Sequence, residues 1–405
     1  MHILLIHQAF AALDEPGGTR HHELARCLVQ HGHRVTIIAS PVSYLTGTKR
    51  KHRMPWVERQ EDQPGLTILR AYTYTALHRS FFHRVLSFLS FMVSSLLVGT
   101  GVKGVDLVWG TSPPIFQGAT AWFLARIKRA KFLFEVRDLW PEFAVAVGVL
   151  RQPVLIRMSE WLERFLYSHA DLLVVNSPGF IQHVHERGAH KVELVPNGAD
   201  TTMFDPSIQG DSFRVQYGLV GRYIALYAGA HGMSNDLDIV LEAACLLKRH
   251  SNIVMVLLGD GKEKPALIRR AAELGLENVV FVPPLPKAEM PIALAAADAC
   301  IAILKPIKAY RTVFPNKVFD YMAAGKPVVL AIGGVIRDVV EAADAGIPVM
   351  PGDPQAVADA LCRLEEDPMA RAEMGRHGRD YVVANFDRAA LAQKLEALML
   401  ELLQS

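Results

Sequence analysis

Short apolar runs alternate with amphipathic helical patterns along most of the chain. In the first half these runs predict strands at residues 1–7, 34–39, 67–71, 106–109, 131–136, 171–176 and 192–195. Strands that alternate with helices form a parallel sheet with helices on both faces. Because ligands of such sheets bind at the carboxyl ends of the strands, we expect the chemistry in the loops that follow them.

A second series of the same kind follows. Strands are predicted at residues 223–228, 253–258, 279–282, 299–304, 328–331 and 347–350, and helices at 354–365, 370–383 and 387–403. A polar, turn-rich stretch at residues 196–211 separates the two series. We therefore predict an α/β protein with two Rossmann-like, doubly wound domains, at residues 1–205 and 206–385. A helix at 386–405 is expected to pack back on the first domain.

Composition limits the class of protein. The chain has 405 residues, 51% of them hydrophobic and 21% charged, which suits two buried cores. A formal net charge of +2 is too small for a dedicated nucleic-acid binder. Residues 1–200 hold 22 Lys and Arg against 16 Asp and Glu, so the positive excess is N-terminal. This asymmetry fits an anionic acceptor or membrane surface, and scattered solvated charge explains it equally well.

The cysteines and the first residues indicate a cytoplasmic protein. Cys27, Cys245, Cys300 and Cys362 lie far apart, with no CxxC pair and no His at metal-ligand spacing. Residues 1–7 have the character of a buried strand rather than an export signal. We expect reduced thiols, no metal site and a cytoplasmic location, with peripheral attachment to the inner face of the cell membrane as an option.

A stretch of 18 uncharged residues, 85–102, has three interpretations. It suits a buried helix of the first domain, an interfacial membrane helix or, at the lower limit of length, a spanning helix. A basic cluster at residues 49–53, with Trp56 nearby, would add attraction to anionic lipid, unless it is a solvated loop. The pattern favours the buried helix.

Glycine-rich loops follow the first predicted strand of each series. Gly17 and Gly18 precede a predicted helix, and Gly229, His231 and Gly232 occupy the corresponding loop of the second series. Glycines of this kind let backbone N–H groups approach a phosphate, and a following helix adds the dipole of its N-terminus. A plain tight turn has the same composition, so both interpretations stay open.

Charged and aromatic residues follow the strand predicted at 131–136. They are Arg137, Asp138, Trp140 and Glu142, a dense group at the carboxyl end of a strand. Such a group can orient a polar substrate. A structural salt bridge beneath a loop is the alternative.

The segment 311–329 carries the most informative pattern. Asn316 stands where a helix N-cap belongs, and Asp320 follows four residues later on the same helix face. A phosphate at the helix start and a carboxylate one turn along would suit the diphosphate and the ribose of a nucleotide, while Arg311 and Lys317 supply positive charge. An ordinary capped helix with a charged face is the alternative.

Four motifs together resemble those of family-4 glycosyltransferases of the GT-B fold. They are the GGTR loop, the VRDLWPE loop, the PNGAD segment and the segment at 311–329, and they occur in the family's order along nearly the whole chain. The resemblance is closest to bacterial members that build cell-surface polysaccharides such as O-antigen and exopolysaccharide. It implies two Rossmann-like domains that face a central cleft, with a nucleotide sugar held mainly by the C-terminal one.

The resemblance also assigns residues. Asp320 resembles the second acid of the family's E-x7-E motif, but the first acid is replaced by Thr312. Ala230 and Asn235 stand where the family usually has Arg and Lys. The expected donor-binding residues are Gly17, Gly18, Gly229, His231, Gly232, Arg311, Asn316, Lys317 and Asp320, the expected acceptor-binding residues are Arg20, Trp140 and Glu142, and the expected catalytic residues are Arg137, Asp138 and Lys317.

The implied activity is retaining transfer of a hexosyl or N-acetylhexosaminyl group from a UDP- or GDP-sugar. The acceptor would be a saccharide, either free or linked to polyprenyl diphosphate. The resemblance implies no metal requirement and no cofactor, because the nucleotide sugar is a substrate and the departing phosphate can take the acceptor's proton. A nucleotide-sugar epimerase and a non-catalytic nucleotide-sugar-binding protein are the alternatives.

Overall fold

The computed structural model describes residues 1–43, 47, 55–75 and 81–404. The basic cluster at residues 49–53 lies outside them. The chain forms two compact units. Unit 1 contains residues 1–12, 17–196 and 389–405, and unit 2 contains residues 13–16 and 197–388.

The described part of unit 1 is built on an eight-stranded sheet with the order β3-β4-β2-β1-β5-β6-β7-β8. Its strands are β1 His2–His7, β2 Arg34–Ala39, β3 Val57–Gln63, β4 Leu66–Ala71, β5 Leu107–Ser112, β6 Lys131–Val136, β7 Leu172–Val175 and β8 Val192–Leu194. All neighbours pair in parallel except β3 and β4. The central strand β1 is buried at every position, which explains its uninterrupted apolar character.

Helices cover this sheet. They are α1 Arg20–Gln30, α2 Phe81–Gly101, α3 Phe116–Lys128, α4 Glu142–Ala146, α5 Pro153–His169 and α6 Ile181–Glu186. The helix α3 approaches the sheet closely because Gly110 of β5 and Gly118 of α3 have no side chains. A Cβ at Gly110 would lie 2.7 Å from Ala121 Cβ.

All residues of unit 2 are described. Its six-stranded sheet is parallel throughout, with the order β11-β10-β9-β12-β13-β14. The strands are β9 Tyr223–Ala228, β10 Ile253–Leu258, β11 Val279–Val282, β12 Ala299–Ile303, β13 Val328–Ala331 and β14 Gly346–Pro348. The helices are α7 Asp211–Gln216, α8 Leu237–Leu246, α9 Lys264–Glu273, α10 Met290–Ala296, α11 Asn316–Ala323, α12 Val335–Ala342, α13 Pro354–Glu366 and α14 Pro368–Asn385. The predicted class, two parallel-sheet α/β domains, is confirmed.

The last helix, α15 Arg388–Gln404, contributes to the core of unit 1. Leu391, Leu395 and Met399 of α15 are buried there together with Leu5 and Leu24. The chain therefore returns to its first unit after completing the second.

Two features differ from the sequence-based expectations. The strand β3 was not predicted, because its sequence VERQEDQ is polar and it pairs antiparallel at the edge of the sheet. The units divide at residue 196, nine residues before the predicted boundary. The turn-rich residues after 196 belong to unit 2 because its side chains hold them: Arg379 donates to the carbonyl oxygens of Thr201 and Phe204.

Within the described residues, one helix is long and apolar enough to cross a membrane by length and composition. It is α2, and 33% of its most apolar stretch is buried. Ser94 and Phe91 are buried, whereas Phe82, Val93 and Leu97 are exposed. The helix is thus apolar on its outer face as well as on its inner one.

Candidate functional site

Two glycine loops meet at the carboxyl ends of β9 and β10 in unit 2. Gly229 follows β9 with a φ of +151°, and Gly259 follows β10 with a φ of +142°. A Cβ on Gly259 would overlap the carbonyl oxygen of Gly229, so the two loops can touch only with glycine at this position. The backbone around Gly229 is thereby held against the sheet edge where ligands of such folds bind.

Lys317 extends from the first turn of α11 to this edge. Its ammonium nitrogen is buried 3.9 Å from the centre of the Tyr227 ring, and a Cβ on Gly229 would lie 2.6 Å from it. No hydrogen-bond acceptor among the described residues reaches the nitrogen. Burial lowers the pKa of Lys317 to about 7. The site therefore contains a buried cation that is ready to bind an anion.

His231 lies in the same loop as Gly229 and is fully buried. Burial, and next the nearby ammonium groups of Lys264 and Lys317, lower its pKa to about 4, so the ring is neutral near pH 7. Neither ring nitrogen has a hydrogen-bond partner among the described residues. A neutral imidazole here can donate one N–H to an anion.

Asn316 does not cap α11 as predicted. Pro315 occupies the N-cap position, and the Asn316 amide instead donates to Asp320 Oδ2 at 3.2 Å and accepts from Arg388 Nη2 at 3.0 Å. Proline can precede the helix because the first amide groups of a helix have no intrahelical acceptor. Asn316 therefore orients Asp320.

Asp320 lies one turn along α11 and is mostly buried. Its Oδ2 accepts from Lys287 Nζ at 2.6 Å, and this ammonium also lies over the ring of Phe204. A diol that binds to Asp320 would therefore meet a carboxylate fixed by a cation. Lys287 follows β11 and was not singled out from the sequence, although its position after a strand is a signal for it.

The remaining predicted donor residues of unit 2 lie elsewhere in the loops. Gly232 has Asn235 Nδ2 as its nearest neighbour, so it is not sterically required. Arg311 is exposed and lines a separate cavity at the ends of β12, β13 and β14. Lys317 is not among the residues that line this cavity, and the role of Arg311 in donor binding stays a prediction.

Unit 1 contains a buried ionic cluster at the ends of its central strands. Glu135 of β6 is fully buried and accepts from Arg20 Nε at 3.0 Å, His21 Nε2 at 2.6 Å and Trp109 Nε1 at 3.1 Å. Although burial opposes ionisation, His21 and Arg20 hold the pKa of Glu135 well below its usual range. Burial lowers the pKa of His21 to about 4, so His21 donates to Glu135 as a neutral ring.

Arg20 was expected to contact an acceptor, and the structure revises that role. Its guanidinium is buried, and beyond Glu135 it donates to the carbonyl oxygens of Val195 and Pro196 at 2.7 Å each. These contacts join the start of α1 to residues 195 and 196, where the segment 17–196 of unit 1 ends. A group fully engaged in this way serves the fold.

Asp138 and Arg137 lie beside this cluster. Arg137 donates to the carbonyl oxygens of Ser112 and Pro113, which orders the loop after β5. Burial raises the pKa of Asp138 to about 6, although Arg137 opposes the shift. A carboxyl group with this pKa exchanges protons near neutral pH, which suits contact with a reacting hydroxyl.

His7, at the end of β1, was also missed from the sequence. It is fully buried with its ring 4.4 Å from that of His21, and burial lowers its pKa well below its usual value. Its Nε2 has no hydrogen-bond partner among the described residues. His7, His21 and Glu135 lie inside predicted strands or helices. A polar residue in such an element gives no positional signal for a site, whereas a motif in a loop after a strand does.

The other predicted residues of unit 1 lie at its surface or in turns. Trp140 packs edge-on against Phe116, and Glu142 pairs with His183 Nδ1 at 3.1 Å. Gly17 is close to Ala11, where a Cβ would lie 2.9 Å from that residue's Cβ, whereas Gly18 has nothing within 4 Å. Only Gly17 is therefore sterically restricted.

Among the residues that the structure describes, no three His, Cys, Asp or Glu side chains converge as a metal site requires. The two cationic groups nearest His231 are Lys264 and Lys317, while His231 itself is neutral near pH 7. Lys264 donates to the carbonyl oxygens of Gly259 and Val282, so it supports the β10 loop.

Comparison with known families gives matches to both halves of the chain. The family described as Glycosyl transferase 4-like domain matches residues 17–198, and the family described as Glycosyl transferases group 1 matches residues 211–381. The two matched regions coincide closely with units 1 and 2.

Individual relatives agree with these matches. The putative colanic acid biosynthesis glycosyl transferase WcaI of Escherichia coli (strain K12) is 25% identical over 318 residues, 76% of this chain and 77% of that protein. Sucrose-phosphate synthase from Thermosynechococcus elongatus has a similar structure, with a TM-score of 0.77, 20% identity and coverage of 99% and 98% of the two chains. Anabaena HepE in complex with UDP-glucose also has a similar structure, with a TM-score of 0.71 and 17% identity, and the match covers 99% of this chain and 100% of that one. The structural similarities show a shared fold.

Proposed function

The chain belongs to the family-4 glycosyltransferases of the GT-B fold, and from this premise we propose that it transfers a sugar from a nucleoside diphosphate donor bound in unit 2. The observation that carries the proposal is the buried ammonium of Lys317, which lacks an acceptor and lies beside Gly229. A buried cation without a counter-charge is unfavourable, and a diphosphate would supply that charge.

The leaving group explains the arrangement. When the bond between sugar and phosphate breaks, negative charge grows on the diphosphate, and preorganised donors stabilise it most effectively in a dry site. Lys317, the N–H of His231 and the free amides at the start of α11 are such donors. Asp320, fixed by Lys287 and Asn316, is positioned one turn further for the ribose hydroxyls.

We propose a UDP- or GDP-hexose or N-acetylhexosamine as donor, and a saccharide, free or linked to polyprenyl diphosphate, as acceptor. The solved complex of HepE with UDP-glucose supports the donor class, and the name of WcaI supports a role in polysaccharide biosynthesis. We further propose that transfer retains the anomeric configuration and needs no metal ion, which assay in the presence of EDTA and product stereochemistry will test.

In unit 1, we propose that Asp138 contacts the acceptor hydroxyl or the transferring sugar. Its raised pKa permits a hydrogen bond to a hydroxyl in either protonation state. Replacement by alanine or asparagine is expected to reduce transfer by about 100-fold, a typical contribution of a group that acts in the transition state. Transfer at the wild-type rate by both variants would refute this role.

The first test is a thermal-shift screen with UDP, GDP, ADP and their sugars. A nucleotide that binds only the native state raises the unfolding temperature. We expect one base to give the largest shift, and Lys317→Met to abolish that shift. Lys326→Met is the matched control, because Lys326 is also a largely buried lysine of unit 2 but donates to the Ala295 carbonyl oxygen.

The outcomes separate the alternatives. Absence of a shift with every nucleotide would contradict the proposed donor site. Binding of a nucleotide sugar without transfer or hydrolysis would indicate a binding protein. Conversion of the donor without any acceptor would indicate an epimerase. Transfer to an acceptor supports the proposal.

We also propose that unit 1 attaches peripherally to the inner face of the cell membrane. The helices α2, α3 and α5 contact each other in series and expose large apolar side chains. These exposed side chains include Val93, Leu97, Ile127, Met158 and Trp161. Such a surface is unusual unless it is covered.

Charge favours an anionic bilayer as the occupant of this apolar surface. Arg126, Arg157 and Arg164 are exposed on α3 and α5, whereas Glu163 of α5 is buried and paired with Arg187. Arginines beside exposed tryptophan and aliphatic groups are typical of helices that lie in the interface of a membrane.

Flotation tests the attachment. The protein is expected to float with vesicles of phosphatidylcholine that contain phosphatidylglycerol and to stay behind with phosphatidylcholine alone. The double variant Trp161→Ser/Arg157→Gln should lose flotation. The control Val220→Ser/Arg249→Gln, which changes exposed residues of unit 2, should retain it. Equal flotation of both variants would refute the proposed surface.

A further inference from the structure

Unit 2 contains a cavity whose lining does not include Gly229, His231 or Lys317. It has a volume of about 730 Å³ and is formed at the carboxyl ends of β12, β13 and β14 by the segment 304–311 and the start of α12. Gly334 has a φ of +80°, and a Cβ there would overlap the Arg311 carbonyl oxygen. Glycine at this position therefore lets the segment lie against the start of α12. The volume is in the range of small-molecule sites.

The charges around this cavity are mostly positive. Lys305, Lys308, Arg311 and Arg337 line it. The segment 304–311 contains no acidic residue. No carboxylate of the described residues is within ion-pair distance of Lys308 or Arg311, so the two exposed cations are available to a ligand.

The acidic residues of the cavity do not cancel this charge. They are Asp338 and Glu341, both on α12. Glu341 Oε1 accepts from Arg337 Nε at 2.7 Å, so this carboxylate is engaged by one of the four cations. Lys305 also interacts with the Asp236 carboxylate, which is not part of the lining. Lys308 and Arg311 then face a single exposed carboxylate, that of Asp338, and the cavity favours an anion.

The cavity shares a wall with the loop that follows β9. The buried Tyr310 donates its hydroxyl to Ser234 Oγ at 2.5 Å, and the Lys305 amide donates to the Ser234 carbonyl oxygen at 3.0 Å. Ser234 lies in the same loop as Gly229 and His231. The cavity therefore adjoins the loop that carries Gly229 and His231, and it can receive the sugar of a nucleotide whose diphosphate binds at Lys317.

We propose that this cavity holds the sugar of the donor and that this sugar bears a carboxylate, which narrows the proposed hexose donor to one oxidised at C6, a nucleoside diphosphate hexuronic acid. The inference rests on the proposed function, because it assumes that the diphosphate binds beside Lys317. Arg311 pairs with the carboxylate through two parallel N–H groups, and Lys308 adds a point charge. The apolar side chains of Ile332 and Met350 contact the ring.

Matched donor pairs test the carboxylate directly. Dissociation constants are measured by calorimetry for UDP-glucose against UDP-glucuronic acid, and for GDP-mannose against GDP-mannuronic acid. The acid of the correct base is expected to bind at least about tenfold more tightly than the neutral sugar, the effect of one charge-assisted hydrogen bond. This preference should decrease with added salt because the cations are exposed.

Variants assign the preference to the cavity. Arg311→Gln is expected to bring the two affinities of the pair together and to leave the affinity for the plain nucleoside diphosphate unchanged. Arg269→Gln is the matched control, because Arg269 is an exposed arginine of α9 outside the cavity. Its preference for the acid should equal that of the wild type.

The outcomes distinguish this inference from the proposed function. Nucleotide binding that depends on Lys317, with the neutral sugar bound as tightly as the acid, overturns the carboxylate and leaves the transferase proposal standing. The same binding with Arg311→Gln affecting only the acceptor's KM would assign the cavity to an anionic acceptor and overturn the inference. Failure of every nucleotide to bind overturns both.

Discussion

The Lys317 ammonium and the Asp138 carboxyl are both driven towards neutrality by burial. The pKa of Lys317 falls to about 7, and the pKa of Asp138 rises to about 6. Both groups therefore change charge close to neutral pH, where their ordinary counterparts do not. Each shift gives a measurable dependence on pH.

Binding of a diphosphate should be coupled to proton uptake by Lys317. At pH 8 most of the free protein has a neutral Lys317, and a bound anion raises the pKa of this group so that it gains a proton. Calorimetry at pH 8 in buffers of different ionisation enthalpy should show uptake approaching one proton per nucleotide. Lys317→Met should lose the uptake, and Lys326→Met should keep it. A binding enthalpy that is independent of the buffer would contradict this prediction.

Asp138 should lower the stability of unit 1 at high pH. Its pKa is higher in the folded protein, about 6, than in the unfolded chain, so its stabilising contribution is present at about pH 4 and is lost as the pH rises through about 6. Asp138→Asn is therefore expected to be more stable than the wild type by up to about 2 kcal/mol at pH 8, with little advantage at pH 4.5.

Urea unfolding followed by tryptophan fluorescence will measure this difference, because all five tryptophans lie in unit 1. Glu186→Gln changes an exposed carboxylate of the same unit and serves as the control. A stability difference between Asp138→Asn and the wild type that does not vary with pH would argue against the buried carboxyl.

At the scale of elements, the loop after β9 and the first turn of α11 depend on each other. Gly229 is tied to Lys317, because a Cβ at Gly229 would lie 2.6 Å from the ammonium nitrogen, and its φ of +151° is rarely adopted by other residues. The contact joins two segments that are far apart in sequence. The position of the Lys317 ammonium therefore depends on the conformation of the loop at Gly229.

Gly229→Ala is expected to weaken nucleotide binding by about tenfold or more, because the added methyl group displaces Lys317 or the loop. The unfolding temperature should change by a few degrees only, since the loop is at the sheet edge. Gly101→Ala is the control, because a Cβ there meets nothing within 4 Å. Unchanged affinity in Gly229→Ala would show that the loop does not position the ligand.

At the scale of the whole molecule, the chain begins and ends in unit 1. The core of this unit includes side chains of α15 that are far in sequence from the rest of it. Hydrogen bonds from His31 and His33 to the Glu396 carboxylate join α15 to the α1–β2 region within the same unit. Unit 1 is thus complete only after unit 2 has been synthesised.

Truncation of Leu395 should test this dependence. Leu395 is fully buried in the core of unit 1, so Leu395→Ala is expected to destabilise that unit by about 2–4 kcal/mol. Leu400→Ala, on the same helix but 40% exposed, should cost less than about 1 kcal/mol. Tryptophan fluorescence during urea unfolding reports on unit 1, and equal effects of the two variants would contradict the burial of α15.

Much of the fold could be predicted because it follows from local patterns. The strands β1, β2, β6, β9 and β10 are apolar runs whose burial on both faces leaves no polar alternation, and they appear where predicted within a residue. β3 could not be found in this way, because an edge strand has one unpaired side and tolerates a polar sequence.

The site could be predicted only in part. Lys317, Gly229, His231 and Asp320 are predicted from the sequence because loops and helix starts after strands carry a positional signal, and their role in binding stays a prediction. Lys287 as the partner of Asp320 was not predicted, because that contact depends on how two loops meet. The internal role of Arg20 was missed for the same reason, since Glu135 lies 115 residues away.

The sequence by itself determined the α/β class, the succession of strands and helices apart from β3, and the loops in which we predict the chemistry. These follow from the periodicity of apolar residues and from the backbone needs of glycine, which act over a few neighbours. Only the tertiary structure decided that the Lys317 ammonium loses its solvent and that Glu135 is ionised among His21 and Arg20. Burial and charge pairing depend on residues brought together from distant parts of the chain, and no local pattern contains that information.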